Sequence, residues 1–385
     1  MNKRTRKNYF DTDLLLIIVV FMAISCFFIY SAEKYLPIKK AFALKQMIWY
    51  IGGFGMTAII YFLDFDQIKK LSKYLFGLGI LLLAALIVAP ESIAPNIKGA
   101  KSWFSLPGFS LQPSEFMKVF LIIFLAKIIV DHHEKYQART LKSDFYLIGK
   151  MGFATAIPLA FILLQPDAGT AMVVTAIFLG MVFVSGIDWK IISALVVSGI
   201  TIIGSLVAIY MWKPNLLLSF LDDYQLDRVH SWLDPFQFGE GIGFQLRNSI
   251  LAIGSGMNFG KGFNNGVVYV PEAHSDFIFT VIAEEGGFLA GSVVIALYFI
   301  LIYKIVAVAT FNKGQYEQYI AVGVISMLTF HIFENIGMVM GLVPITGIPL
   351  PLLSYGGSSI IGTLMALSLI LNMSAKTKRY MFDTR

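Results

Sequence analysis

Asp13–Ala32 reads DLLLIIVVFMAISCFFIYSA, about twenty residues with a formal charge only at the first. At ~1.5 Å of rise per residue, a helix of this length matches the ~30 Å apolar thickness of a bilayer. The run follows Lys3, Arg4, Arg6 and Lys7, as the apolar part of a signal peptide would. It is too long for one, however, and carries no small-residue cleavage pattern, so a retained first span is expected. Similar runs recur along the chain. Ten helical spans are expected, at Asp13–Ala32, Leu44–Leu63, Leu71–Ala89, Pro113–Val130, Phe145–Leu164, Gly169–Ser185, Trp189–Trp212, Ser275–Val306, Tyr319–Met340 and Gly356–Met373.

Composition says the same. Of 385 residues, 57% are hydrophobic and only 14% charged, where a soluble domain carries roughly 25% charged residues. This excludes a soluble globule and defines an all-α polytopic membrane protein. The net charge of +6 does not indicate nucleic acid, because the Lys and Arg lie between apolar runs rather than on a folded basic face. The single cysteine, Cys26, lies inside the first run, so an intrachain disulfide or a cysteine-based metal site is excluded.

An even number of spans puts both termini on one side. Basic clusters at Lys3–Lys7, Lys69–Lys73, Lys135–Lys142, Lys304–Lys313 and Lys376–Arg385 make that side cytoplasmic by the positive-inside rule. Lys34, Lys39, Lys40 and Lys45 in the first outer loop run against it. One membrane domain over residues 1–385 is expected. Spans one to seven lie within 13–212, a long extracellular loop covers 213–274, spans eight to ten lie within 275–373, and a cytoplasmic tail covers 374–385. The long loop exceeds what a connector needs and holds Trp232, Phe236, Phe244 and Phe259, so it is expected to pack on the outer face with Gln245–Ile253 as an amphipathic helix.

Four constellations could carry chemistry. Glu115 and Lys118, after Pro113, share one face of the outer end of span four. They are either a capped helix start or a headgroup-depth pair able to hold a phosphate. Asp276, in PEAHSDF (Pro271–Phe277), lies where aqueous loop meets membrane; it suits a general base and equally a helix-start acid. Glu284, Glu285 and Glu334, the last near His331, are intramembrane acids that could pair, relay protons or line a cavity. Pro344–Ser359 holds too many prolines and glycines for a continuous helix, so it is expected to be a re-entrant loop buried by protein. Two lookalikes are set aside. Gly254, Gly256, Gly260, Lys261 and Gly262 fit neither phosphate-loop spacing, and His132 with His133 lacks a zinc pattern.

Taken in order, KGAKSW (98–103), QPSEFMK (112–118), QPDAGT (165–170), AIGSG (252–256), GKG (260–262), PEAHSDFIF (271–279), AEE (283–285) and PLPLLSYGGSS (349–359) resemble the SEDS family (shape, elongation, division and sporulation) of peptidoglycan glycosyltransferases. Within it, LVPITG (342–347) leans towards the elongation type, RodA, with the division type, FtsW, and sporulation relatives as close rivals. Ser102 stands where an arginine commonly precedes the tryptophan, and Arg247 is the residue that would compensate.

The resemblance implies polymerisation of lipid II at the outer face of the bacterial plasma membrane, with Asp276 as the essential carboxylate, acting as the base. It implicates Glu115, Lys118 and Trp103 as well; Arg247 and His274 are further substrate-binding candidates, and Glu284, Glu285, Glu334, Ser354 and Tyr355 are expected to be structural or cavity-lining. It also implies a class B penicillin-binding protein as partner. A Mg or Mn ion is a candidate for neutralising the diphosphate. The competing classes are a lipid II flippase, which needs no base at the outer mouth, and a membrane scaffold.

Overall fold

The computed structural model describes residues 11–35, 41–96, 99–106, 109–137, 140–212, 223–237 and 241–382. Helices are α1 (Thr12–Ala32), α2 (Phe42–Tyr61), α3 (Phe65–Val88), α4 (Pro113–Lys135), α5 (Leu141–Leu163), α6 (Ala168–Val184), α7 (Trp189–Trp212), α8 (Asp223–Leu233), α9 (Gly241–Ser255), α10 (Ile278–Phe311), α11 (Gln315–Val339) and α12 (Gly357–Phe382). Each expected span falls on a helix. Seven of them (α1, α3, α5, α7, α10, α11 and α12) are long and apolar enough to cross a bilayer, while α6 is apolar but shorter. The chain is a helical, polytopic membrane protein.

Local sequence explains the helix starts. Asp11 accepts from the Leu14 amide at 3.3 Å, Thr140 from Ser143 at 3.2 Å and Asp167 from Thr170 at 3.0 Å, each meeting one of the unpaired amides of a first turn. Pro113 opens α4, where a missing amide costs nothing. Inside the bundle, small residues set the spacing. A Cβ at Gly53 would lie 2.3 Å from Leu364 Cδ1, so α2 and α12 pack almost backbone to side chain. The inner helix α12 also packs against α4, α10 and α11.

α4, α6, α10 and α12 all begin at one end of the bundle, here the upper end. The basic clusters meet at the other: Lys69 pairs with Asp131 at 2.9 Å, Lys304 with Asp13 at 2.5 Å and Lys376 with Asp64 at 3.1 Å. Lys3–Lys7, Lys39, Lys40 and Arg139 lie outside the described residues. Lys34, an exception to the charge pattern, has a local use: its Nζ donates to the carbonyls of Asn264 at 2.8 Å and Gly266 at 2.7 Å, tying the long loop to α1.

Several expectations change. The eighth span is not one continuous helix, because Gly287 (φ 67, ψ −167) breaks α10 two turns from its start. The last helix does not stop at Met373 but runs to Phe382. The fold is not wholly helical, since Phe104–Leu106 and Phe109–Leu111 pair as an antiparallel hairpin with Ser105 opposite Ser110. The expected amphipathic helix is present and longer, as α9, and α8 precedes it.

Pro344–Gly356 is non-helical and largely buried, as expected of the re-entrant loop. Its backbone is satisfied by side chains from the surrounding helices, which is what apolar surroundings require. Ser25 donates to the Leu353 carbonyl at 2.8 Å, Gln46 to Ser354 at 2.9 Å and Asn335 to Ile348 at 2.8 Å. Arg228 donates to Ile345 at 2.9 Å, while Tyr50 and Tyr298 donate to Leu352 and Pro351.

Candidate active site

Glu115 and Lys118 sit one turn apart on α4 and are 4% and 2% exposed. Lys118 Nζ lies 2.8 Å from Glu115 Oε1 and 3.0 Å from His331 Nε2. His331 Nδ1 is 2.7 Å from the Met327 carbonyl, so Nδ1 carries the proton and Nε2 accepts from the ammonium. The result is a buried, neutral unit of carboxylate, ammonium and imidazole. Its charge is met internally.

One turn further along α11, the Asn335 amide donates to the backbone carbonyls of Asp276 and Ile348, both at 2.8 Å. Residues four apart share a helix face, so His331 and Asn335 link the Lys118 unit to the Asp276 backbone through one rigid element. Asp276 itself is half-buried, and a Cβ built on Gly347 would lie 3.5 Å from its Oδ2. Gly347 has φ +78, a left-handed conformation that suits glycine and lets the re-entrant loop pass beside the carboxylate.

Four helix starts meet around this loop. The Gln112 backbone amide, before α4, donates to the Ser358 hydroxyl of α12 at 2.9 Å, and the Gln112 side chain donates to Asp167, the cap of α6, at 3.2 Å. Tyr355, before α12, donates its amide to the His274 carbonyl, before α10, at 2.9 Å. Helix N-termini carry unpaired amides and partial positive charge, so their gathering favours an anion.

The expected site residues divide accordingly. His274 stacks on Phe42 with centroids 4.5 Å apart, and Tyr355 meets the same ring at 4.5 Å. Ser354 donates to the Ser275 carbonyl at 2.7 Å and accepts from the Leu350 amide at 2.7 Å, fixing the loop beside Asp276. Glu284 Oε1 accepts from Lys261 Nζ at 2.6 Å and from the amides of Val267 and Val268 at 2.8 and 3.1 Å. Glu285 accepts from Ser31 at 2.5 Å. Glu334 is buried near Thr346 and Arg228, and among the described residues its carboxyl oxygens lack a well-formed hydrogen bond. Trp103 is half-buried ahead of the hairpin, and Arg247 lies over the Phe244 ring, 5.5 Å from its centroid. Neither is hydrogen-bonded to Asp276 or to the Lys118 unit among the described residues.

Sequence reasoning missed Asn335, the strut under Asp276. A polar amide inside an apolar helical run, next to Glu334, was the available signal. A groove of ≈ 470 Å³ between the starts of α5 and α7, lined by Phe145, Lys190 and Leu195, lies at the lower end, away from this chemistry.

The fold and these groups define a polytopic SEDS-type membrane protein. The chain matches the FtsW/RodA/SpoVE family profile, described as cell cycle protein, over residues 7–379, and it belongs to that family. It is 32% identical to stage V sporulation protein E of Bacillus subtilis, covering 96% of this chain and 98% of that one. It is also 32% identical to the probable peptidoglycan glycosyltransferase FtsW of Trichlorobacter lovleyi, covering 98% and 96%. Among solved structures, it is similar to a chain of a peptidoglycan synthase complex described for coordinating polymerization and crosslinking (TM-score 0.77, 28% identity, 96% and 98% covered). The rod shape determining protein RodA of Thermus thermophilus is similar as well (TM-score 0.66, 25% identity, 96% and 98% covered).

Proposed function

We propose that this chain, a peptidoglycan glycosyltransferase by family, polymerises lipid II into glycan strands at the outer face of the bacterial plasma membrane. Asp276 serves as the base. Ten spans with cytoplasmic termini put the upper end outside. Lipid II carries its sugar α-linked to a polyprenyl diphosphate, so a β-1,4 bond forms by inversion. The Asp276 carboxylate takes the proton of the acceptor 4-hydroxyl, the alkoxide attacks the anomeric carbon, and the bond to diphosphate breaks on the opposite face. One carboxylate suffices because the diphosphate leaves without protonation.

The observation that carries this reading is Asp276, half-buried, at the meeting point of four helix starts. Those N-termini stabilise negative charge on the departing diphosphate without reorganising. Lys118, its charge met by Glu115, braces the start of α4 behind them, while Trp103, Arg247 and His274 complete the substrate contacts around the mouth. Glu284, Glu285, Glu334, Ser354 and Tyr355 are structural or line the cavity. Among the described residues, no three or more His, Cys, Asp or Glu side chains gather as a metal-binding group. A Mg or Mn ion would thus be held chiefly by the diphosphate's own oxygens.

The partner is a class B penicillin-binding protein, consistent with the synthase complex among the structural neighbours. Leu342–Gly347 supports a role in elongation, so depletion in the host should round the cells; filaments would assign the chain to division instead.

Lipid II supplied on the accessible face of proteoliposomes tests the reaction itself. Wild type should yield polymer there and the Asp276→Asn variant, equally folded, none. A flippase would yield no polymer from either, and polymer from both would remove Asp276 from the chemistry.

A further inference from the structure

The glycine-rich segment Gly254–Gly262, which only mimics a phosphate loop, is a splint for the broken helix. Past the break at Gly287, the turns of α10 on either side cannot cap each other. Loop 256–262 does so instead. The Lys261 and Gly262 amides donate to the carbonyls of Glu284 at 3.0 Å and Glu285 at 2.9 Å, and the Phe288 and Leu289 amides donate to Met257 at 2.8 Å and Asn258 at 3.2 Å. Close approach requires glycine: a Cβ at Gly256 or Gly260 would lie 2.1 Å from the carbonyl oxygen of Ala283 or Glu285. The Lys261–Glu284 ion pair at 2.6 Å locks the same junction, with the Glu284 side chain 2% exposed.

The two-turn segment Ile278–Glu285 that follows Asp276 is therefore fixed at its far end by the outer loop, not by continuity with the rest of α10. We propose that Lys261 and Glu284 are positioning residues for glycosyl transfer: their ion pair sets the angle of this short helix and, through it, where the Asp276 carboxylate stands. This rests on Asp276 as the base. Asp276 lies eight residues from Glu284, a lever of roughly 12 Å, so a tilt of about 5° at the splint moves it by about 1 Å. A displacement of about 1 Å in reacting geometry costs on the order of 100-fold in rate.

The experiment uses the full chain in proteoliposomes with purified lipid II, measuring kcat and KM for Lys261→Ala, Lys261→Arg and Glu284→Gln, each normalised to folded protein. Lys261→Ala should lower kcat about tenfold or more with KM changed less than about twofold, and Lys261→Arg should recover most of the loss. Glu284→Gln, which keeps an acceptor for the Val267 and Val268 amides, should lose kcat in the same way and serves where Lys261→Ala folds poorly. Unchanged kcat in both Lys261→Ala and Glu284→Gln, or a rise in KM alone, overturns the positioning role. Asp276→Asn run alongside separates the two readings. A dead Asp276→Asn with a normal Lys261→Ala removes only the splint, whereas an active Asp276→Asn removes the base.

Discussion

Replacing Lys118 with alanine should destabilise the bundle more than any exposed charge change could. Lys118 is 2% exposed, and its ammonium is the donor to Glu115 Oε1 at 2.8 Å and His331 Nε2 at 3.0 Å. Because His331 Nδ1 is committed to the Met327 carbonyl, Nε2 has no proton of its own to offer Glu115. Lys118→Ala therefore strands a buried carboxylate and a buried imidazole nitrogen together. Removing one partner of a buried ion pair costs about 3–5 kcal/mol, a large share of a typical 5–15 kcal/mol total. Lys118→Met with Glu115→Gln removes the charge from both sides and should recover about half or more of that loss. Unfolding titrations in mixed micelles would report both numbers. A loss below about 1 kcal/mol for Lys118→Ala, the range of exposed pairs, would refute the buried unit.

Asn335→Leu removes the donor from two backbone carbonyls, so a loss of about 2–3 kcal/mol is expected in the same titration, with a fall in kcat because Asp276 loses its strut. Wild-type kcat would show that the strut is dispensable. Gly260→Ala forces a Cβ to within 2.1 Å of the Glu285 carbonyl at φ +75, so it should cost at least about 1–3 kcal/mol and expose the outer loop to limited proteolysis. An unchanged digestion pattern would mean that the loop does not sit against the helix break.

Hydropathy put each expected span on a helix, though not α8, because lipid enforces one pattern on spanning helices: apolar runs of bilayer length separated by charge. The re-entrant loop was legible for a related reason, since Pro344, Pro349 and Pro351 with Gly347 cannot continue a helix. The break in α10 was not legible. Gly286 and Gly287 follow Glu284 and Glu285 inside a run otherwise apolar enough to read as one span, and the loop that caps the break, 256–262, lies outside that span. Nor could Glu284 be told from Glu285 by position: adjacent on a helix, one turns to Lys261 in the loop and the other to Ser31 on α1. Gln46, Ser25 and Tyr50 likewise read as ordinary polar residues of a span until the loop backbone they satisfy is in place.

Placement of the acceptor sugar bears most directly on Asp276 as base. A structure of the Asp276→Asn chain bound to lipid II should put the acceptor 4-hydroxyl about 3 Å from the side chain at 276, with the donor diphosphate at the starts of α4, α10 and α12. A 4-hydroxyl seated instead against Glu334, with residue 276 out of reach, would contradict it.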